Sequence, residues 1–104
     1  MNFIRCFALI LIALAVPNTA NAYTVNGSLE CTDIIREHSN EDFRLANMFW
    51  LLGYITARNY EDDADAGLDV ANDKIYALGV DFCRRNQDSD WDDAAIQVYV
   101  TLSN

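Results

Sequence analysis

Basic side chains are scarce in this chain. Lys and Arg together number 7 against 16 Asp and Glu, and Lys74 is the single lysine. A surface so acidic repels phosphate backbones and anionic lipid, which argues against nucleic-acid binding and electrostatic docking to a membrane. Histidine is as rare. His38 stands in a polar segment between two helices. A general base needs a nucleophile beside it, and both Cys31 and Cys83 are expected in a bridge, so His38 is expected to be a surface or capping residue. One histidine and two distant cysteines do not make a zinc ligand set. Glycine occurs only 4 times, and no phosphate-cradling glycine loop, nucleophile elbow or His-Glu-x-x-His pattern is present. The acidic run Glu61-Asp62-Asp63-Ala64-Asp65 suggests a calcium loop, but its register fails. Counted from Asp63, an EF-hand requires glycine where Leu68 stands and glutamate where Lys74 stands. The run is read as a solvated loop. No catalysis, metal or cofactor is expected.

Long apolar runs are also lacking. The longest, Cys6–Val16, falls short of the about 20 residues that a membrane span needs. It follows Arg5 and precedes Pro17-Asn18-Thr19-Ala20-Asn21-Ala22, which ends in a small-x-small pattern. Residues 1–22 are therefore read as a secretory signal peptide cleaved after Ala22. The expected product is a periplasmic or secreted single domain, residues 23–104, with no membrane association after cleavage. Without Arg5, 6 basic residues face 16 acidic ones, a formal charge of −10. Such a charge keeps a secreted domain soluble and is compatible with a basic partner.

A domain of that size sits near the lower limit for a self-sufficient core and often needs a staple. Cys6 leaves with the leader, so Cys31 and Cys83 remain, and they allow one intramolecular pairing. Exported compartments are oxidising, so a disulfide is expected. Closing residues 32–82 into a loop contributes about 4 kcal/mol by chain entropy. The redox signature Cys-x-x-Cys is absent, which makes the pair structural.

The remaining sequence reads as an all-α bundle of about four helices. Tyr23–Gly27 is an extended lead-in, and Ser28 is placed to cap a helix over Leu29–Glu37. Its apolar side is Leu29, Cys31, Ile34 and Ile35. Ser39 with Asp42 forms a reduced capping box for a second helix, Glu41 to about Asn59. The middle of that helix, Met48–Ile55, is apolar all round, which predicts a central position touched on several sides. Gly53 there calls for close approach of another backbone. Tyr60–Gly67 is the acidic loop, and Leu68–Ala71 a single turn. Asn72 or Asp73 caps a third helix, Lys74–Arg85, with Ile75, Leu78, Gly79, Phe82 and Cys83 on one face. Ser89 or Asp90 caps a fourth helix ending near Leu102, with Trp91, Ala94, Ala95, Val98 and Leu102 inward. The disulfide ties the first helix to the third.

Two groups of residues are candidates for binding. Phe49, Trp50 and Tyr54 are either plain core or a surface that a protein partner meets when the fold loosens or at rest. The acids Glu61, Asp62, Asp63 and Asp65 are a docking edge for a basic partner.

Ser28-Leu29-Glu30-Cys31-Thr32-Asp33-Ile34-Ile35 is similar to the opening of the HdeA/HdeB acid-stress chaperones, small helical periplasmic proteins with one disulfide across about fifty residues. The chain departs from them in its single lysine and in Leu29, where they carry tryptophan. Trp50-Leu51-Leu52-Gly53-Tyr54, followed by Phe82-Cys83-Arg84-Arg85-Asn86, also resembles the Tai-type immunity proteins that neutralise cell-wall amidase toxins. Both resemblances imply a non-catalytic binding protein. The first implies a chaperone for unfolded clients in acid, the second an inhibitor of one folded toxin. A third reading is an accessory secreted domain without its own activity. The oligomeric state stays open between monomer and homodimer. Asp42, Asp73, Asp90 and Glu41, at helix starts, are expected to stabilise the fold as anions, so that acid loosens it.

Overall fold

Four helices form in the order the apolar spacing sets: α1 (Cys31–Glu37), α2 (Glu41–Asp62), α3 (Asn72–Arg85) and α4 (Trp91–Ser103). The computed structural model describes residues 25–104, and the leader reading at residues 1–22 lies outside them. Among the described residues no strand forms beyond one antiparallel bridge, Glu30 with Asp90. There Trp91 N–H donates to Leu29 O at 2.7 Å and Cys31 N–H donates to Ser89 O at 2.9 Å. The bridge sets the start of α1 beside the start of α4.

Cys31 and Cys83 form the disulfide that joins α1 to α3, with both residues fully buried. Around it pack Ile34, Leu51, Val80, Ala94, Ala95 and Val98. Trp91 is the largest fully buried side chain. Its Nε1 donates to Asn47 O at 3.1 Å, and its ring meets Tyr76 edge-on. Leu29, Ile35, Phe82 and Leu102 are half-buried against the core, whereas Leu78 is exposed and Tyr76 takes the inward place beside Ile75.

Several local expectations are corrected. Ser28 does not cap α1. Its hydroxyl accepts from Asp92 N–H at 3.0 Å and donates to Asp92 Oδ1 at 2.9 Å, so it serves the start of α4 instead. Asn40, not Ser39 with Asp42, caps α2: its backbone is extended and its side chain accepts from Phe43 N–H. α3 begins at Asn72 itself, with Ala71 at the cap position in an extended conformation, so neither proposed residue is the cap and Asp73 falls in the first turn. Of the two alternatives for α4, Asp90 is the cap, in a capping box with Asp93.

α2 outruns its predicted end near Asn59 and continues to Asp62, so Glu61 and Asp62 belong to the helix and not to the loop. Asp63 ends it in the left-handed conformation, with φ 50°. Asn59 O accepts from both Asp63 and Ala64 N–H, and the Asn59 side chain accepts from Ala66 N–H and donates to Ala66 O. One asparagine thus satisfies the helix end and folds the following turn onto it, which outweighs the poor match of acids to the helix dipole.

The two helical glycines differ in role. No backbone approaches Gly53, and a Cβ there meets nothing within 4 Å. A Cβ on Gly79 would lie 2.6 Å from the buried Trp91 ring. Gly79 is therefore the residue whose smallness the packing uses. In urea unfolding, Gly79→Ala is expected to destabilise by about 1–3 kcal/mol through overpacking. Gly53→Ala is expected to stabilise by about 0.5–1 kcal/mol through reduced chain entropy. Equal effects at the two positions would contradict this assignment.

Candidate binding surface

α2 packs on the other three helices, yet it keeps one side open. Asn47, Leu51 and Ile55 are buried, one turn apart, which orients Leu45, Phe49, Gly53, Thr56 and Tyr60 outward. From Leu45 to Ala57 the helix carries no charged residue. Phe49 is 62% exposed and Tyr60 92% exposed. The expected central position, touched on several sides, is found, but the apolar run does not reveal that one face lacks a covering element.

The three candidate aromatics do not share one face. Successive helical positions diverge by about 100°, so Phe49 points outward while Trp50 turns toward α4. Trp50 and Tyr54 stack one turn apart, with planes within 10° and centroids 6.3 Å apart. The lead-in partly covers them. Trp50 Nε1 donates to Asn26 O at 2.8 Å, and Gly27, at φ +80°, lies so close that a Cβ would come within 3.1 Å of the indole. Val25, Trp50, Tyr54 and Ile96 bound a groove of about 480 Å³ there. Arg58 donates to the Tyr54 hydroxyl at 2.7 Å and lies over the Tyr99 ring at 4.3 Å.

The acidic candidates also divide. Glu61, Asp63 and Asp65 are exposed at the end of α2. Asp62 is exposed as well, but it reaches across to α4, where it accepts from the Tyr99 hydroxyl at 2.8 Å and pairs with Arg58 at 3.4 Å. It is part of the link between α2 and α4 before it is part of any docking edge. His38 ends α1. Its ring stacks on Tyr76, with Nδ1 3.2 Å from the Tyr76 hydroxyl, and its carbonyl accepts from Arg44.

Four side-chain-to-side-chain hydrogen bonds join different elements among the described residues: Ser28–Asp92, His38–Tyr76, Asn47–Glu37 and Tyr99–Asp62. Three of the four end on a carboxylate, and the fourth ends on the only histidine. Hydrogen bonds to an ionised acceptor are about twice as strong as neutral ones. Asn47, the one buried polar residue of the core, donates to Glu37 Oε2 at 3.2 Å while its carbonyl receives Trp91. Sequence reasoning overlooked Asn47, although a lone amide inside an apolar run was a usable signal.

No protein-family model, curated protein or solved structure matches the chain. Among the described residues no helix is long and apolar enough to cross a membrane, and no cluster of three or more His, Cys, Asp or Glu could hold a metal ion.

Two tyrosines carry raised pKa values. The hydrogen bond to Asp62 raises that of Tyr99, because the phenol must keep its proton to donate. Burial raises that of Tyr76, opposed by the nearby charges of Arg44 and Arg84. A phenol raised in the folded state stabilises fully below its unfolded value of about 10, and this contribution is lost as pH rises through the higher folded value. Unfolding free energy is therefore expected to fall above about pH 10. Tyr99→Phe is expected to lower the melting temperature at neutral pH and to flatten that alkaline fall. An alkaline limb unchanged in Tyr99→Phe would contradict the role given to the Asp62 bond.

Proposed function

We propose that this protein is an exported, non-catalytic acid-stress chaperone that holds unfolded polypeptide on α2, akin to the HdeA/HdeB proteins that its Cys31 neighbourhood resembles. The observation that carries this reading is the chemistry of the cross-links: three of the four side-chain ties between elements end on carboxylates. Bonds of this kind lose their charge assistance in strong acid, where carboxylates in general are protonated. The same protonation turns a formal charge of −10 to roughly +8 on the six bases, His38 and the new amino terminus, which adds repulsion within the compact state. The Cys31–Cys83 bridge keeps α1 and α3 joined while the helices separate. A client surface is at hand in the uncharged outer face of α2, and the Trp50–Tyr54 groove widens it once the lead-in lets go.

One observation favours a second reading. Phe49 is already 62% exposed without any acid trigger, which suits a partner met at neutral pH. In that reading the protein is an inhibitor or immunity protein for one folded basic enzyme, with Glu61, Asp63 and Asp65 steering the encounter.

Suppression of client aggregation, measured at about pH 2–3 and at pH 7, separates the two readings. The chaperone reading expects suppression in acid only, weakened by Phe49→Ser and by Trp50→Ala. Phe49→Ser, a surface change, is expected to shift native stability by no more than about 0.5 kcal/mol. Absence of suppression at both pH values, together with tight binding of one folded basic protein at pH 7, would replace the first reading by the second.

A further inference from the structure

Acids outnumber bases so heavily in this chain that every arginine has carboxylates to choose from. Arg36 pairs with Asp33, Arg58 with Asp62 and Arg85 with Asp81. Among the described residues Arg44 and Arg84 form no ion pair, and both line the same groove, of about 420 Å³, between α2 and α3.

The rest of that groove is apolar. Met48, Val80 and Ala77 line it, with the Tyr76 ring, and Leu45 stands at its α2 side. Val80 and Tyr76 are buried, so the groove has a fixed floor. Arg44 Nη1 donates to His38 O at 3.1 Å, which anchors the guanidinium and leaves most of its five N–H donors unused. His38 itself is engaged by the Tyr76 hydroxyl. The acidic groups nearby are Asp73, also in the lining, and Glu37, whose carboxylate receives Asn47. The groove therefore offers two guanidinium groups beside an apolar floor, and one carboxylate that disfavours a second negative charge on a ligand.

We propose that this groove binds a monoanionic amphiphile of the long-chain carboxylic acid class, its carboxylate received by Arg44 and Arg84 and its aliphatic chain laid along Met48 and Val80. Arginine forks match a carboxylate geometrically, and the volume lies within the about 300–1,000 Å³ usual for small-ligand sites. Nucleotides and sugars fit poorly, because the floor offers no array of backbone donors. The inference does not depend on the chaperone reading.

Calorimetric titration of the oxidised protein with dodecanoate at pH 7, below its micelle concentration, tests the proposal. Saturable binding at one site is expected, with weaker binding of dodecanol and none of dodecyltrimethylammonium. Arg84→Gln is expected to weaken binding about tenfold, the loss of one charge-assisted contact. Ala77→Trp, at an exposed position, is expected to block the groove with both arginines in place, while near-ultraviolet dichroism shows the fold intact. The Met48 methyl resonance should shift on binding. The proposal is overturned by an absence of saturable binding, by equal binding of the cationic amphiphile, or by affinity unchanged in both variants. It is also overturned if an apolar peptide with a free carboxyl terminus saturates the groove and dodecanoate does not.

Discussion

The bridge between Cys31 and Cys83 is the constraint on which the rest of the fold depends. α1 has only 7 residues, too few to hold a helix by its own hydrogen bonds. Fixed to α3 by the disulfide and to α4 by the Glu30–Asp90 bridge, it brings Glu37 to Asn47 and His38 to Tyr76. Asn47 in turn orients the Trp91 indole, and Trp91 occupies the space that Gly79 leaves. A chain of dependence thus runs from one covalent bond through α2 to the largest side chain of the core.

That dependence gives the acidic composition a structural meaning. Carboxylates do more than keep the surface soluble, since Glu37, Asp62 and Asp92 close the junctions between elements. The apolar packing beneath them is insensitive to pH, and so is the disulfide. On the proposed reading, acid acts on the junctions and spares the helices themselves. The products of such loosening are compact states with retained secondary structure and mobile tertiary packing.

The helices and the disulfide were legible because they rest on local spacing and on a count of two cysteines. Helix boundaries were less so. Ser28 has the chemistry of a cap for the helix that follows it, but it spends that chemistry on Asp92, which lies 64 residues away. The end of α2 depends on Asn59 reaching Ala66, a contact no pattern of apolar residues encodes. Phe49 stayed open between core and surface for a different reason: periodicity fixes which residues share a face, not whether a neighbour covers that face. Arg44 and Arg84 passed unnoticed as site residues because their common feature, the lack of a carboxylate, exists only in three dimensions.

The central claim is that acid unlocks the tertiary ties and leaves the helices standing. Near- and far-ultraviolet dichroism of the oxidised protein, followed from pH 7 down to about pH 2, tests it most directly. The expected result is loss of the near-ultraviolet signal of Trp91 and its aromatic neighbours between about pH 4 and pH 2, with the helical far-ultraviolet signal retained. A native near-ultraviolet spectrum persisting at about pH 2, or loss of both signals together, would contradict it.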